Sequence, residues 1–327
     1  MFGIDPTVKS PGRPRPPTVR RGTATVPDVT EFGVHTGVQD TTVDELRDLW
    51  VGAEELGFDA VSVWDHLYSS DLSSPACLEA VAAHTALACA TTTVRCGCLV
   101  YCAGYRHPAI LAKAVTTIDL LSGGRAEIGL GAGWAEAEYA AFGFPFPSVG
   151  RRLDLLAETA AAVRALLRED VTDLDGEHVH LTGARNEPRP AQTALPVWIG
   201  GAGERRTARI VAEHGDGWNL PFLPPDALSG KRDALVGHCA DLGRDPAEIR
   251  IGVNVVVCDD DASLAAQFGP RADAVRAGAV VGTSVDRLVE GLGRYVAAGA
   301  DTVNVALRAP WNPTALGRAA AAVAQLR

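Results

Sequence analysis

The sequence has no long apolar run, no dense basic cluster outside its N-terminus and no even, regularly spaced set of cysteines. No segment approaches the roughly 18 uninterrupted apolar residues that a membrane-spanning helix needs. The net charge is −10 across 327 residues, whereas nucleic-acid binding needs a clustered positive surface. We therefore expect a small-molecule ligand, and neither a membrane nor a nucleic acid as a partner.

The seven cysteines argue against a small extracellular disulfide scaffold, because their number is odd and their spacing irregular. A reduced, cytoplasmic protein fits best. Cys96, Cys98 and Cys102 form the one local cluster. No His-Cys motif nearby completes a zinc set, so we interpret them as small core residues and expect no metal.

The first 27 residues are rich in proline and arginine and show no apolar periodicity. They lack the apolar central region of a secretory signal. We predict a disordered or strapping extension over 1–27, with a targeting role left open. The chain is 47% hydrophobic and long enough to bury a large core. Residues 28–327 are predicted to form a single domain.

Short apolar runs alternate with longer helical patterns along the chain. The runs predicted as strands are 31–37, 59–64, 94–101, 126–131, 195–201, 216–221, 249–258 and 300–307. Eight β-then-α units in this order predict parallel pairing and a (β/α)8 barrel. A doubly wound open sheet is the rival fold. It would place its phosphate loop after the first strand, where this chain has only VHTGVQD.

The intervening segments have the periodicity of amphipathic helices. The predicted helices are 41–57, 78–91, 108–121, 151–169, 203–214, 225–242, 284–298 and an alanine-rich segment at the C-terminus. On the first helix, one predicted apolar face holds Val43, Leu46, Leu49, Trp50, Ala53 and Leu56. Alternating residues around Asp175-Gly176 predict a hairpin outside the main repeat.

In a barrel, residues just past the C-terminal end of each strand line one open mouth. Polar, aromatic and glycine residues fall at these positions: His35, Asp65, His66, Tyr101, Tyr105, His107, Gly131, Gly133, Trp134, Gly200, Gly201, Gly203, Trp218 and Asn219, with Asn254 within strand seven. His66 can move a proton near neutral pH, and Asp65 can orient it. The alternative is that Asp65 caps the next segment and His66 is an ordinary polar side chain.

The segment IGGAGERRTARI (199–210) joins a strand end, a glycine-rich turn and a helix start. Backbone amides at such a turn, with the helix dipole behind them, suit a phosphate, and Arg205 or Arg206 can add a counter-charge. An ordinary tight turn is the alternative. VVGTSVDRL (280–288) is a second helix start of this type. There, simple capping by Thr283 or Ser284 is favoured.

Ordered motifs between about Glu31 and Leu307 resemble the luciferase-like flavin and deazaflavin oxidoreductases, in particular the branch that uses coenzyme F420. The motifs are SVWDHL, RHPAILAKAVTTIDLLSGGRAEIGLGAGW, FPFPSVGRRLDLL, DGEHVHL, NEPRPAQ, LPVWIGGAGERRTARIVAEHGDGWN and VGTSVDRLVEGL. The resemblance implies a (β/α)8 barrel with an insertion after the fourth unit, which suits a hairpin at 171–182. It also implies a homodimer.

The resemblance further implies a cofactor ring in the mouth, with its phosphate near Gly200–Gly203. The cofactor-binding positions it implies are His35, Asp65, Cys98, Leu99, Gly131, Gly133, Gly200, Gly201, Ala202, Gly203, Asp216 and Trp218. Relatives carry a non-proline cis peptide on the third strand. We place the equivalent bond at Cys98–Leu99, with a slip of one residue left open.

In sugar-phosphate dehydrogenases of this superfamily, the position of His66 is the catalytic base and that of Asp65 contacts the cofactor. Those enzymes carry a glutamate as proton donor directly after the GxG of the fourth strand. Trp134 stands there in this chain, with Glu136 two residues on. This departure disfavours a sugar phosphate and favours an apolar or aromatic substrate. The residues predicted around it are Trp64, Tyr101, Tyr105, His107, Trp134 and Glu136.

The predicted function is therefore an F420-dependent oxidoreductase that transfers a hydride between C5 of the deazaflavin and a small organic substrate. His66 is the predicted acid/base, supported by Asp65. An FMN-dependent luciferase-like monooxygenase is the first alternative. A barrel that binds a ligand without turnover is the second, motivated by Trp134 in place of the glutamate.

Overall fold

The computed structural model describes residues 30–69, 74–312 and 314–327. The extension predicted over 1–27 lies outside them. Within the described residues the strands are β1 (Glu31–Thr36), β2 (Ala60–Val63), β3 (Arg95–Cys102), β4 (Ala126–Gly131), β5 (Thr172–Asp175), β6 (His180–Ala184), β7 (Val197–Gly200), β8 (Gly217–Pro221), β9 (Arg250–Cys258), β10 (Val280–Val281) and β11 (Thr302–Leu307).

Most of the described helices lie between consecutive strands of the chain. They are α1 (Val43–Glu55), α2 (Ala80–Ala90), α3 (Pro108–Ser122), α4 (Glu136–Phe142), α5 (Val149–Arg168), α6 (Thr207–His214), α7 (Leu228–Leu242), α8 (Asp261–Phe268), α9 (Ala272–Arg276), α10 (Val285–Ala297) and α11 (Ala315–Leu326). No helix of the described chain is long and apolar enough to cross a membrane.

A closed parallel barrel forms the centre of the fold. Its described strands run in the order β1-β2-β3-β4-β7-β8-β9-β11, and β11 pairs in parallel with β1 to close the ring. All of these pairings are parallel, as strand–helix alternation dictates. The predicted (β/α)8 barrel is confirmed.

Several helices begin at a residue whose side chain accepts a hydrogen bond from a backbone amide of the first turn. These N-caps are Thr42, Glu79, His107, Ser148 and Ser284, for α1, α2, α3, α5 and α10. Each cap satisfies an N–H that has no partner within the helix. The capping interpretation of Ser284 is confirmed.

The apolar face predicted on α1 is narrower than expected. Leu46, Trp50 and Ala53 are fully buried, but Val43 and Leu56 are 52% and 48% exposed. Both exposed residues lie at the ends of the pattern, where the helix has just begun or has already stopped. The central residues of the pattern therefore carry the packing of α1 onto the barrel.

Two excursions interrupt the repeat. The hairpin β5–β6 follows the fourth unit, as predicted, and Glu158 of α5 accepts hydrogen bonds from three successive backbone amides at its turn. Residues 259–283 form a second excursion that the sequence analysis did not predict. It contains α8, α9 and β10, and its apolar side chains form a small cluster separate from the main core.

Gly217 on β8 lies directly beneath the indole of the buried Trp198 on β7. A Cβ at Gly217 would stand 2.2 Å from the Trp198 Cε3 atom. Real Cβ atoms do not approach a ring this closely, so the indole or the strand would have to move. A glycine is therefore required for these two strands to pack.

We expect Gly217→Ala to lower the free energy of unfolding by about 1–3 kcal/mol, because it overpacks the barrel. Gly237→Ala is the matched control. Gly237 lies in the middle of α7, with nothing within 4 Å of an added Cβ. Alanine there should raise stability by about 0.5–1 kcal/mol. Urea unfolding measures the free energy of unfolding of both variants. Equal changes in the two variants would contradict the packing requirement at Gly217.

Candidate active site

A cavity of about 310 Å³ opens at the C-terminal ends of the barrel strands. The structure brings eleven of the predicted site residues together on its wall: His35, Trp64, Asp65, His66, Leu99, Tyr105, Gly131, Gly133, Trp134, Gly200 and Gly201. Asn219 and Asn254 also line it. The cavity thus occupies the position where (β/α)8 barrels carry their sites.

His66 is held by a buried carboxylate that the sequence analysis missed. Its Nδ1 lies 2.9 Å from Oε1 of Glu138, whose side chain is fully buried. Tyr105 donates its hydroxyl to the other oxygen at 2.6 Å, and the amide of Tyr68 also donates to Glu138. Because Nδ1 is engaged, the other ring nitrogen of His66 is the one available to the cavity.

The environment keeps Glu138 ionised. Burial acts to raise the pKa of Glu138, but the hydrogen bond and charge of His66, with the Tyr105 hydroxyl, outweigh it and lower the pKa. Burial, with Glu138 beside it, raises the pKa of Tyr105, so that hydroxyl remains a donor. His66, Glu138 and Tyr105 are therefore a linked acid–base group at the cavity wall.

Asp65 is buried, and its hydrogen-bond partners are Arg106 and Cys102. Arg106 donates to both carboxylate oxygens, at 2.6 and 3.0 Å, and the amide of Cys102 donates at 2.8 Å. Burial raises the pKa of Asp65, while Arg106 and the Cys102 amide oppose that rise. Because all three of these N–H groups donate to the Asp65 carboxylate, we assign it as ionised, the form that only accepts hydrogen bonds. Asp65 fixes the strand end, and Glu138 orients His66.

His35 lies at the bottom of the cavity wall, almost fully buried. Its Nδ1 is 2.8 Å from the hydroxyl of Ser62 on β2. Burial lowers the pKa of His35 to about 3, and the charges of Arg308 and His66 add to that effect. His35 is therefore neutral at physiological pH and acts there as a hydrogen-bonding group.

A non-proline cis peptide lies on β3, between Leu99 and Val100. The prediction placed it at Cys98–Leu99 with a slip of one residue left open, and the bond lies one residue later, where the register of β3 against β4 shifts. Val100 lines the cavity. A Cβ at Gly131 or Gly200 would lie 2.6 or 2.8 Å from the Val100 side chain. These two glycines leave the space that Val100 fills.

A hydrogen bond from a buried side chain holds the backbone of the glycine-rich turn after β7. Gly201 has a φ of +125°, which few residues other than glycine adopt. The Trp218 indole N–H donates to the Gly201 carbonyl at 2.6 Å. The helix α6 begins at Thr207, four residues later than predicted, and Thr207 lines the cavity.

Comparison with known proteins agrees with this geometry. The family model described as luciferase-like monooxygenase matches residues 24–276, which is more than half of the chain. The chain belongs to the luciferase-like monooxygenase family. Members of this family are enzymes, so the chain is an enzyme rather than a passive ligand-binding barrel.

Curated relatives match the luciferase-like chain over part of its length. An F420-dependent glucose-6-phosphate dehydrogenase from Amycolatopsis mediterranei is 34% identical over 175 residues, which is 53% of this chain and 52% of the relative. The chain spans 38% to 55% of the length of curated relatives that it matches. The likeness is therefore partial.

Solved structures show the same fold. An F420-dependent secondary alcohol dehydrogenase, solved with an F420–acetone adduct, superposes with a TM-score of 0.81 at 19% identity. It covers 91% of this chain and 99% of that chain. A long-chain alkane monooxygenase superposes with a TM-score of 0.75 at 14% identity, covering 92% of this chain and 91% of that chain. At these identities the likeness concerns the luciferase-like fold alone.

The structure corrects the placement of several predicted residues. Tyr101 is buried outside the cavity, and its hydroxyl lies 2.9 Å from Nδ1 of His84. Cys98 is fully buried and does not line the cavity. His107 is exposed and caps α3. Glu136 is exposed on α4.

The remaining corrections concern the strands that follow the hairpin. Asp216 precedes β8 and so lies at the opposite end of the barrel, where Arg164 and Arg168 pair with it. Trp218 is fully buried, and its side chain contacts the cavity turn through its hydrogen bond to the Gly201 carbonyl. Ala202 and Gly203 do not line the cavity. Arg206, a proposed counter-charge, pairs instead with Asp154 on α5.

Four residues of the luciferase-like site escaped the sequence analysis. Glu138 lies two residues beyond the predicted Glu136, and the helical start after Trp134 was the signal that could have found it. Arg106 directly follows the predicted Tyr105. Arg271 lies in the unpredicted excursion 259–283, and Arg308 directly follows β11. Both of these arginines line the cavity.

We expect Glu138→Gln to lower the free energy of unfolding by about 1–3 kcal/mol at neutral pH, because buried donors lose a charged acceptor. The pKa of Glu138 is depressed in the folded state, so this stabilisation is complete above its ordinary value of 4.5 and is lost as pH falls through the folded value. The difference in the free energy of unfolding between the wild type and Glu138→Gln should therefore become smaller at acidic pH.

Glu136→Gln is the matched control on the same helix. Its side chain is exposed, so the change should stay within about 0.5 kcal/mol at any pH. Urea unfolding at neutral and acidic pH measures both variants. Equal effects, or a Glu138→Gln effect that persists in acid, would contradict the assignment.

Proposed function

We propose that this chain is an oxidoreductase that uses coenzyme F420 to exchange a hydride with a small organic substrate of apolar or aromatic character. The observation that carries this proposal is the His66–Glu138 pair on the cavity wall, 2.9 Å apart. Such a pair can give or accept a proton beside a hydride acceptor or donor. The F420 dependence of the relative from Amycolatopsis mediterranei supports the choice of cofactor.

The residues around the cavity fit a flat tricyclic cofactor. Val100 projects from the bulged part of β3, and the absence of side chains at Gly131 and Gly200 leaves a smooth wall around it. The start of α6 at Thr207, on the cavity wall, offers a hydroxyl and the positive end of a helix for a phosphate. Val100, Gly131 and Gly200 would thus hold the ring, and Thr207 its phosphate.

Coenzyme F420, when bound, supplies the hydride chemistry at C5 of its deazaflavin. The chain's own contribution is to place His66 where substrate and ring meet. Glu138 holds the imidazole through Nδ1, which leaves Nε2 to move a proton to or from the substrate. Trp134 lies edge-on to His66, with ring centroids 5.2 Å apart, and limits access of water.

An FMN-dependent monooxygenase is the second candidate, favoured by the likeness of the fold to a long-chain alkane monooxygenase. The same cavity residues can hold a flavin. The identity of the cofactor therefore depends on whether they bind the deazaflavin ring or the flavin ring more tightly. The expected homodimer and cytoplasmic location stay predictions.

We expect the purified chain to bind F420 more tightly than FMN. Titration of each cofactor into the apo-protein, followed by absorbance and by isothermal calorimetry, measures this directly. Retention of FMN through purification, or an FMN affinity above that for F420, would favour the monooxygenase and contradict the proposal.

We expect His66→Ala to slow hydride transfer by about 10²–10⁴-fold, because proton transfer in the transition state loses its partner. Single-turnover absorbance of F420 with a panel of secondary alcohols, and of reduced F420 with activated alkenes, gives the rate. His180→Ala is the control, since His180 is exposed on the hairpin strand β6. A His66→Ala variant with the wild-type rate would overturn the role of His66.

A further inference from the structure

The cavity wall carries a positive side chain next to several apolar and aromatic ones. Arg271, between α8 and α9, lines the cavity together with Trp64, Leu99, Val100, Trp134, Leu153 and Phe222. Its guanidinium carbon lies 3.9 Å from the centre of the Trp134 ring. The chain as a whole has a net charge of −10, so a cation here does not follow from a basic composition.

Arg271 has no carboxylate within ion-pair distance in the described part of the chain. Of the described residues on the cavity wall, Asp65 is the one acid, and Arg106 already pairs with it. Half-burial lowers the pKa of Arg271, which means that its charge is only partly solvated. An anion placed beside it would restore that lost solvation.

The stacking on Trp134 also orients the guanidinium. A guanidinium that lies flat on an indole keeps its N–H donors at its edges, free to bind a carboxylate through two parallel hydrogen bonds. A second cation, Arg308, also lines the cavity, stacked over Trp64 at 4.2 Å and over Phe268 at 3.8 Å. Both cations therefore lie on aromatic supports at the same opening.

Trp134 links Arg271 to the acid–base group. The Arg271 guanidinium carbon lies 3.9 Å from the centre of the Trp134 ring, and the ring centroids of Trp134 and His66 are 5.2 Å apart. A substrate whose charged end reached Arg271 would thus extend past Trp134 toward His66.

We propose that Arg271, held on Trp134, is an anion-recognition residue, and that the substrate is a carboxylate with an apolar or aromatic body. This inference rests on the proposed function, because it names the substrate class of that same site. It adds to the apolar or aromatic body a negative charge at the end remote from His66. The carboxylate is recognised by binding alone and takes no part in the hydride transfer.

The test uses trans-cinnamate and trans-cinnamamide, two planar probes of the same shape that differ in charge. Calorimetric titration into the F420-loaded full chain should give about tenfold tighter binding of the carboxylate, as a charge-assisted pair predicts. Arg271→Gln should bring the ratio of the two affinities close to one. Arg271→Lys, which keeps the charge but not the two-pronged geometry, should retain part of the preference.

Arg276→Gln is the matched control. Arg276 lies on α9, is exposed and pairs with Asp261, so the same charge change there should leave the preference intact. Raised salt should weaken the preference in the wild type, because the arginine is half-exposed. Equal thermal stability of the Gln variants excludes a folding defect as the cause.

Two results would overturn the inference. One is a wild type that shows no preference for cinnamate or binds neither probe at millimolar concentration, and the other is a preference that survives in Arg271→Gln. A surviving preference together with a loss of F420 affinity would assign the arginine to cofactor binding. Failure of the proposed function is a separate result: the wild type binds FMN in place of F420, and the probes are then compared on the FMN-loaded chain.

Discussion

The buried contact of Asp65 with Arg106 and the Cys102 amide determines the shape of the site. Asp65 ends the apolar run of β2, and Cys102 is the last residue of β3, so one carboxylate joins the ends of two adjacent barrel strands. Arg106 also pairs with Glu79, the N-cap of α2. Removal of one partner from such a buried pair costs about 3–5 kcal/mol, because the other charge stays unpaired.

The residues that face the cavity depend on that contact. His66 is the next residue after Asp65, and its backbone position follows once Asp65 is fixed. Glu138 then reaches His66 from α4, on the opposite side of the end of β3. Asp65 accepts hydrogen bonds from Arg106 and the Cys102 amide, whereas Glu138 holds the His66 ring. The chain therefore uses two carboxylates, Asp65 for the backbone and Glu138 for the ring.

The sequence was sufficient for the barrel and for the part of the site made by strand ends. Strand and helix periodicities are strong there, and His35, His66 and Gly200 follow from position alone. Side-chain direction was not predictable where β3 departs from regular pairing, which explains Tyr101. Residues 259–283 were missed because α8 and α9 are short and pack in a small separate cluster, with little periodicity to detect.

The cavity is built in two ways. The wall around Val100, Gly131 and Gly200 is made by backbone and by absent side chains, so any sequence that keeps the barrel and its glycines keeps that wall. Another part of the wall is made by side chains on loops and excursions, chiefly Trp134 and Arg271. Loops tolerate substitution better than barrel strands. Recognition of a shared cofactor therefore belongs to the scaffold, whereas discrimination among substrates belongs to elements that each sequence supplies for itself.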